Sequence, residues 1–300
     1  MENLQIPTPE RGFANLANDF MFKRIFGQVE SKDVLITFLN HFIGNGEIVD
    51  VEFLNTEHLP PTAEDKKVVF DINVRTQDGT EYIIEMQLLK QEHFHERALY
   101  YTAYPIISQG LRAKADFKKE HPNYDGPFKW DFNLRPVRFI AILNFDMNHA
   151  TGWKNDKYQS SYRLYEDNAN ELLHDKLQFM FLELARFNKT EAELETIYDK
   201  WMYLFKNMKF LKERPDVFDE KEFDHLFELA KISNFTQNEY MEYQKIEFGE
   251  SDYYNALDYA KKERNLEIAR NMLKKNEPEE KILEYTGISS NDFLTLKKDL

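Results

Sequence analysis

Residues 68–89 read VVFDINVRTQDGTEYIIEMQLL, and the way this stretch folds back on itself decides the fold. Apolar and polar residues alternate through both halves, the period-2 signature of paired strands. On the first half, Phe70, Ile72 and Val74 share one face, and Val69, Asp71, Asn73 and Arg75 the other. On the second, Tyr82, Ile84, Met86 and Leu88 lie opposite Glu81, Ile83, Glu85 and Gln87. Two turns can join them. A two-residue Asp78-Gly79 turn pairs Gln77 with Thr80 and sets Asp71 against Met86, so polar residues face apolar ones at most rungs. A three-residue loop, Gln77-Asp78-Gly79, pairs Thr76 with Thr80 and sets Asp71 against Glu85. Phe70, Ile72 and Val74 then meet Met86, Ile84 and Tyr82. A one-residue slip turns a strand over, so the apolar pattern selects the second register. The turn chemistry agrees, because three-residue loops end on a left-handed residue and Gly79 stands there. Directly opposed carboxylates repel, and a divalent cation between Asp71 and Glu85 would remove that cost.

A lone Asp on one strand, a hairpin, and Glu-x-Gln on the next resembles the PD-(D/E)XK nuclease superfamily. The wider set, FANLANDFMFKRIFG, VVFDINV, IIEMQ and RALYYTAYP in that order, resembles its bacterial branch of recombination-promoting nucleases and putative transposases. The resemblance covers most of the chain. It implies an α/β fold with a restriction-endonuclease-like core (helix, three-stranded meander, helix, strand) and a helical C-terminal region. It also implies a metal-dependent DNA endonuclease linked to recombination or transposition. Asp71 and Glu85 would be the metal ligands, with the Met86 carbonyl as a third, for Mg²⁺ or Mn²⁺, hard cations that take oxygen. Gln87 stands where the superfamily usually has lysine; its amide can orient water but carries no charge and cannot act as a base near neutral pH. Asp19 and Lys23 are auxiliary candidates, and Arg97 and Tyr101 are candidates for touching substrate phosphate or holding the motif. Each also has a plainer reading: Asp19 as a first-turn acid paired four residues on with Lys23, Tyr101 as a half-buried core residue with a wet hydroxyl. The alternative to the enzyme is a nuclease-like scaffold of weak or no activity that binds a protein partner.

Composition narrows the field. With 42% hydrophobic and 15% aromatic residues in 300, the chain can bury a sizeable core. The lack of cysteine excludes disulfides, thiolate zinc sites and thiol catalysis. No apolar run nears the roughly 20 residues of a membrane helix, and MENLQIPTPERGF lacks a signal-peptide layout, so a cytoplasmic protein is expected. The net charge of −14 speaks against nucleic acid, but residues 161–260 carry 12 Lys and Arg against 22 Asp and Glu, so the acidity is concentrated away from the hairpin. The eight histidines are scattered, and glycine-rich phosphate loops, nucleophile elbows and His-Glu-x-x-His runs are absent.

Along the chain, periodicity predicts helices over 13–27 and 31–43, a strand over 47–56 ended by Pro60-Pro61 and TAEDKK, and a helix over 92–114 that Pro105 should kink or split. Strands follow at 137–145 and near 177–184, then mostly helix over 190–260. The tail from about 258 predicts three short helices, with Gly287 as a break and Ser289 as a cap. That unit is helix-turn-helix-like, with Asn291, Thr295, Lys297 and Lys298 as possible readers of DNA, or else an interaction or homodimerisation tail. The expected domains are a nuclease-like core (1–187), an acidic helical cover (188–257) and the tail (258–300).

Overall fold

The computed structural model describes residues 12–44, 47–58, 68–147, 149 and 157–298. The N-terminal MENLQIPTPER and the Pro60-Pro61 segment with its polar run lie outside them. Two helices, α1 (Asp19–Phe26) and α2 (Lys32–Leu39), precede the strands β1 (Val51–Phe53), β2 (Glu57–His58), β3 (Val68–Val69), β4 (Ile72–Thr76) and β5 (Glu81–Gln87). The long helix α3 (Phe94–Glu120) leads to β6 (Val137–Leu143), β7 (Gln159–Tyr162) and β8 (Leu177–Glu183). A six-stranded sheet runs β1-β4-β5-β6-β8-β7, and β2 and β3 form a separate pair. The implied order of helix, meander, helix and strand is the order found.

The hairpin takes the register that its apolar pattern selects. Ile72 pairs with Ile84, Val74 with Tyr82 and Arg75 with Glu81. The Thr76 N–H donates to the Thr80 carbonyl at 2.9 Å, and Gly79 has φ +86°, which closes the three-residue loop. β5 then pairs in parallel with β6, and β6 with β8, so Glu85, Ala141 and Phe181 share one rung and Gln87, Leu143 and Glu183 the next on that face.

Two expected strands are shorter than their alternation suggests. The 47–56 strand ends at Phe53, because Asn55 closes a local turn: its Oδ1 accepts the Glu57 N–H at 3.1 Å and its Nδ2 donates to the Glu57 carbonyl. On the neighbouring strand the ladder breaks at Phe70 and Asp71, where the Phe70 N–H turns to the Thr56 carbonyl at 2.9 Å. The break shifts the alternation. Phe70 and Val68 pack with Ile83 and α3, not with Ile72 and Val74 as expected. A ladder interrupted in this way re-aims the side chain at the break, here Asp71.

α3 covers this face of the sheet. Its buried residues Phe94, Ala98, Thr102, Pro105 and Gln109 fall every three or four positions, one stripe of a helix, and Phe94 and Ala98 pack on Ile83, Phe139, Ala141 and Phe181. Of the kink or split expected at Pro105, the split does not occur, and α3 runs on through it. A proline inside a helix removes one intrahelical bond and crowds the preceding turn, at a cost of about 3 kcal/mol, and the helix is held on either side of it. The Thr102 hydroxyl donates to the Leu99 carbonyl, and Gln109 bonds both backbone groups of Arg135.

α1 begins at Asp19 rather than at residue 13. The buried Asn18 caps it, its side chain accepting the Phe20 and Met21 N–H groups. The helices α4 (Ile197–Asn207) and α5 (Asp224–Ala230) share an aromatic core with α1 and α2: Phe26 and Phe38 meet Trp201 and Phe205, and Phe13 meets Phe227.

By its contacts the chain forms two compact units, residues 1–240 and 241–300. The second holds most of α6 (Gln237–Lys274), with α7 (Glu279–Thr286) and α8 (Ser290–Lys298), around Ala269, Ile282, Phe293 and Leu296. Gly287 ends α7 at φ +64°, its N–H on the Leu283 carbonyl, and the Ser289 hydroxyl accepts the Asp292 N–H. Asn291, Thr295, Lys297 and Lys298 are exposed. Among the described residues no helix is long and apolar enough to cross a membrane.

Candidate active site

The break at Asp71 and the ladder at Glu85 bring two carboxylates into a reciprocal arrangement. Asp71 Oδ2 accepts the Met86 N–H at 2.9 Å, and Glu85 Oε1 accepts the Asp71 N–H at 3.2 Å. Each strand thus holds the other's acid by a backbone donor. Met86 meets the site through this N–H. Glu85 is 6% exposed, and the Asp71 side chain 19%.

α1 supplies the charge on one flank. Lys23 Nζ lies 2.8 Å from Asp19 Oδ1 and 3.8 Å from Asp71 Oδ1. Burial works against the Lys23 charge, but Asp19, Asp71 and Glu85 together raise its pKa. α3 supplies the other flank. Arg97, one turn into the helix, hydrogen-bonds the Gln87 side-chain oxygen and that of Gln91. Its guanidinium lies over the rings of Phe94 and Tyr101, at 5.1 and 5.7 Å. Tyr101 packs edge-on against Phe70, 5.3 Å between ring centres. Gln87 is completed by its Nε2 donating to the Leu89 carbonyl at 3.1 Å.

All eight candidates from the sequence therefore gather in one place: Asp71, Glu85, Met86 and Gln87 on the hairpin, Asp19 and Lys23 on α1, Arg97 and Tyr101 on α3. Gln91 and Phe70 belong to the same cluster and were not foreseen. Gln91 precedes α3 and lies outside any periodic pattern, and Phe70 joins only because the ladder breaks beside it.

The electrostatics are those of two acids short of positive charge. Burial, then the neighbouring Asp71, pushes Glu85 up to about 8, against the pull of the Asp71 N–H, Arg97 and Lys23. Burial also raises Asp71, opposed by the Met86 N–H and Lys23. Two enclosed carboxylates whose charge is this unfavourable call for a proton or a cation between them. The donors are all oxygen, so the residues fit a hard divalent ion.

No curated protein and no solved structure matches the chain. A family model described as PD-(D/E)XK nuclease family transposase matches residues 16–260, a span that contains the helix, meander, helix and strand as well as the eight clustered residues. By that match, this chain is a member of the PD-(D/E)XK nuclease family transposases.

Proposed function

We propose that the chain is a metal-dependent DNA endonuclease serving recombination or transposition, with Asp71 and Glu85 as its metal ligands. The observation that carries this reading is the opposed, backbone-anchored pair itself: a buried Glu85 held up at about 8 beside Asp71 forms an all-oxygen seat whose negative charge a divalent cation would offset. The Met86 carbonyl, on the strand between Glu85 and Gln87, is the third ligand in this reading. A divalent ion held there supplies Lewis acidity toward water and toward the phosphodiester oxygens. The protein groups do the rest. Lys23 keeps its charge beside Asp71 and positions it. Arg97 brings to the third motif position the positive charge that glutamine lacks, and Gln87 aims that guanidinium through its side-chain oxygen. Arg97 and Lys23 flank the carboxylates from α3 and α1, where both can meet the phosphates of a strand laid across the pair.

A second reading has its own observation. Both ends of the Gln87 amide are already engaged, by Arg97 and by the Leu89 carbonyl, which suits a scaffold that binds a protein partner through its acidic surface. One experiment separates the two. Purified chain, Asp71→Ala and Glu85→Ala are incubated with supercoiled plasmid and Mg²⁺ or Mn²⁺, and melted with and without the metal. The nuclease nicks the plasmid, both variants lose nicking, and Mg²⁺ raises Tm in the parent only. Equal nicking by all three proteins overturns the nuclease reading, and a Tm indifferent to Mg²⁺ favours the scaffold.

A further inference from the structure

The carboxyl ends of the parallel strands carry a second set of ligand groups. Gln87, Leu143 and Glu183 end β5, β6 and β8 on one rung. Past Leu143 the chain brings Asp146 and His149 to Glu183, and one ligand atom from each of the three lies within 4.8 Å of the other two. Glu183 is wholly buried. Its Oε2 accepts the Met147 N–H at 2.7 Å, and its Oε1 lies 2.6 Å from His149 Nε2. The His149 side chain is 6% exposed. Asp146 stands on the solvent side with Arg186 Nη1 at 2.9 and 3.1 Å from its two oxygens.

We propose that Asp146, His149 and Glu183 bind a divalent transition-metal ion at a site separate from Asp71 and Glu85. A carboxylate taken wholly out of water requires a positive partner, and here an imidazole and a second carboxylate converge on it. One nitrogen and two oxygens suit Zn²⁺ or Mn²⁺; a set with imidazole is a poor one for Mg²⁺. The inner wall is closed by Glu183 and His149, and the outer wall, at Asp146, is open to solvent, so an ion has a path in. It takes one Asp146 oxygen and leaves the other to Arg186, which keeps the carboxylate oriented.

This ion is a staple rather than a second catalytic metal. β6 separates β8 from β5, which places the rungs of Glu183 and Gln87 roughly 10 Å apart, against about 3.5–4 Å in two-metal sites. The bound ion locks the segment of 144–147, with His149, onto the end of β8. That segment is already tied to the end of the motif strand: the Asn144 N–H donates to the Gln87 carbonyl at 3.0 Å, and Lys90 Nζ to the Asp146 carbonyl at 2.9 Å.

Calorimetric titration of the tag-free full-length chain with Zn²⁺ tests the proposal. It is run in the Asp71→Ala/Glu85→Ala background, which removes the hairpin site and so makes the result independent of the nuclease reading, itself read by the plasmid assay. One equivalent of Zn²⁺ should bind with a rise in Tm that Mg²⁺ does not reproduce, and His149→Ala added to this background should lose both. Asp146→Asn, at the exposed side of the site, provides the same comparison if His149→Ala fails to fold, and should weaken binding with the Tm of the zinc-free protein unchanged. Absence of Zn²⁺ binding in the background, or binding left intact by these substitutions, overturns the site.

Discussion

At the scale of single residues, Arg97 has the clearest testable role. If it carries the charge that Gln87 lacks, Arg97→Ala should lower the plasmid-nicking rate about 10²-fold, the loss typical of one preorganised charge donor. Arg97→Lys should restore only part, because an ammonium cannot fork to Gln87 and Gln91 together. An unchanged rate in Arg97→Ala would return Arg97 to a packing role over Phe94 and Tyr101. Asp199 shows the same physics in a purely structural place. It is fully buried at the start of α4, where burial opposes its charge. The Tyr158 hydroxyl, Lys189 and the backbone of Thr196 outweigh that and hold its pKa down at about 2. Because the ionised form is the stabilised one, the contribution is complete above the ordinary aspartate pKa of about 4 and is lost as the pH falls towards about 2. Asp199→Asn should therefore lower stability at neutral pH by about 1–3 kcal/mol, and its thermal melts should approach those of the parent in strong acid. A gap between the two that widens on acidification would contradict this account.

At the scale of elements, the hairpin was legible from sequence because parity is a discrete property. Only one of two registers put Ile72 and Val74 on the side of Ile84 and Tyr82, and the glycine needed for the longer loop was in place. Gly79 is also where the turn is most exposed to substitution. At φ +86°, a Cβ there would lie 3.2 Å from Cγ of Arg135 and 3.3 Å from its Cδ. Gly79→Ala should cost about 1–2 kcal/mol, seen as a Tm lowered by a few degrees; an unchanged Tm would mean that the loop has another conformation within reach. The breaks at Asn55 and Asp71 were not legible, since alternation runs through both and only the competing turn at Asn55 interrupts the ladder. Nor was the unbroken α3, which is held beyond Pro105 by the bonds of Gln109 to the backbone of Arg135. The candidates Asp146, His149 and Glu183 were invisible for a related reason: the histidines look scattered until the pairing of β6 with β8 brings residues 34 apart into contact.

For the whole molecule, a net charge of −14 limits how DNA can be held. Among the described residues, the cations that the fold brings to the carboxylate pair are chiefly Lys23 and Arg97. Each phosphate neutralised contributes about −0.9 to the slope of log affinity against log salt, so a short duplex should bind with a slope of roughly −2 to −4. Fluorescence anisotropy across a salt series measures it. A slope steeper than roughly −6 would require phosphate contacts well beyond Lys23 and Arg97.

The two acids of the hairpin are mounted differently, and that difference sets how the site responds to size. Glu85 rides on β5, which is bonded along both edges by β4 and β6. Asp71 stands at a bend outside the ladder, tethered by one amide and by a lysine of α1. One jaw of the clamp is fixed and the other is sprung. If the pair holds a divalent ion as proposed, ions of different radius would be accommodated by travel of Asp71 and Lys23, with Glu85 as the stationary reference, and the compliance would reside in the seating of α1 and not in the sheet.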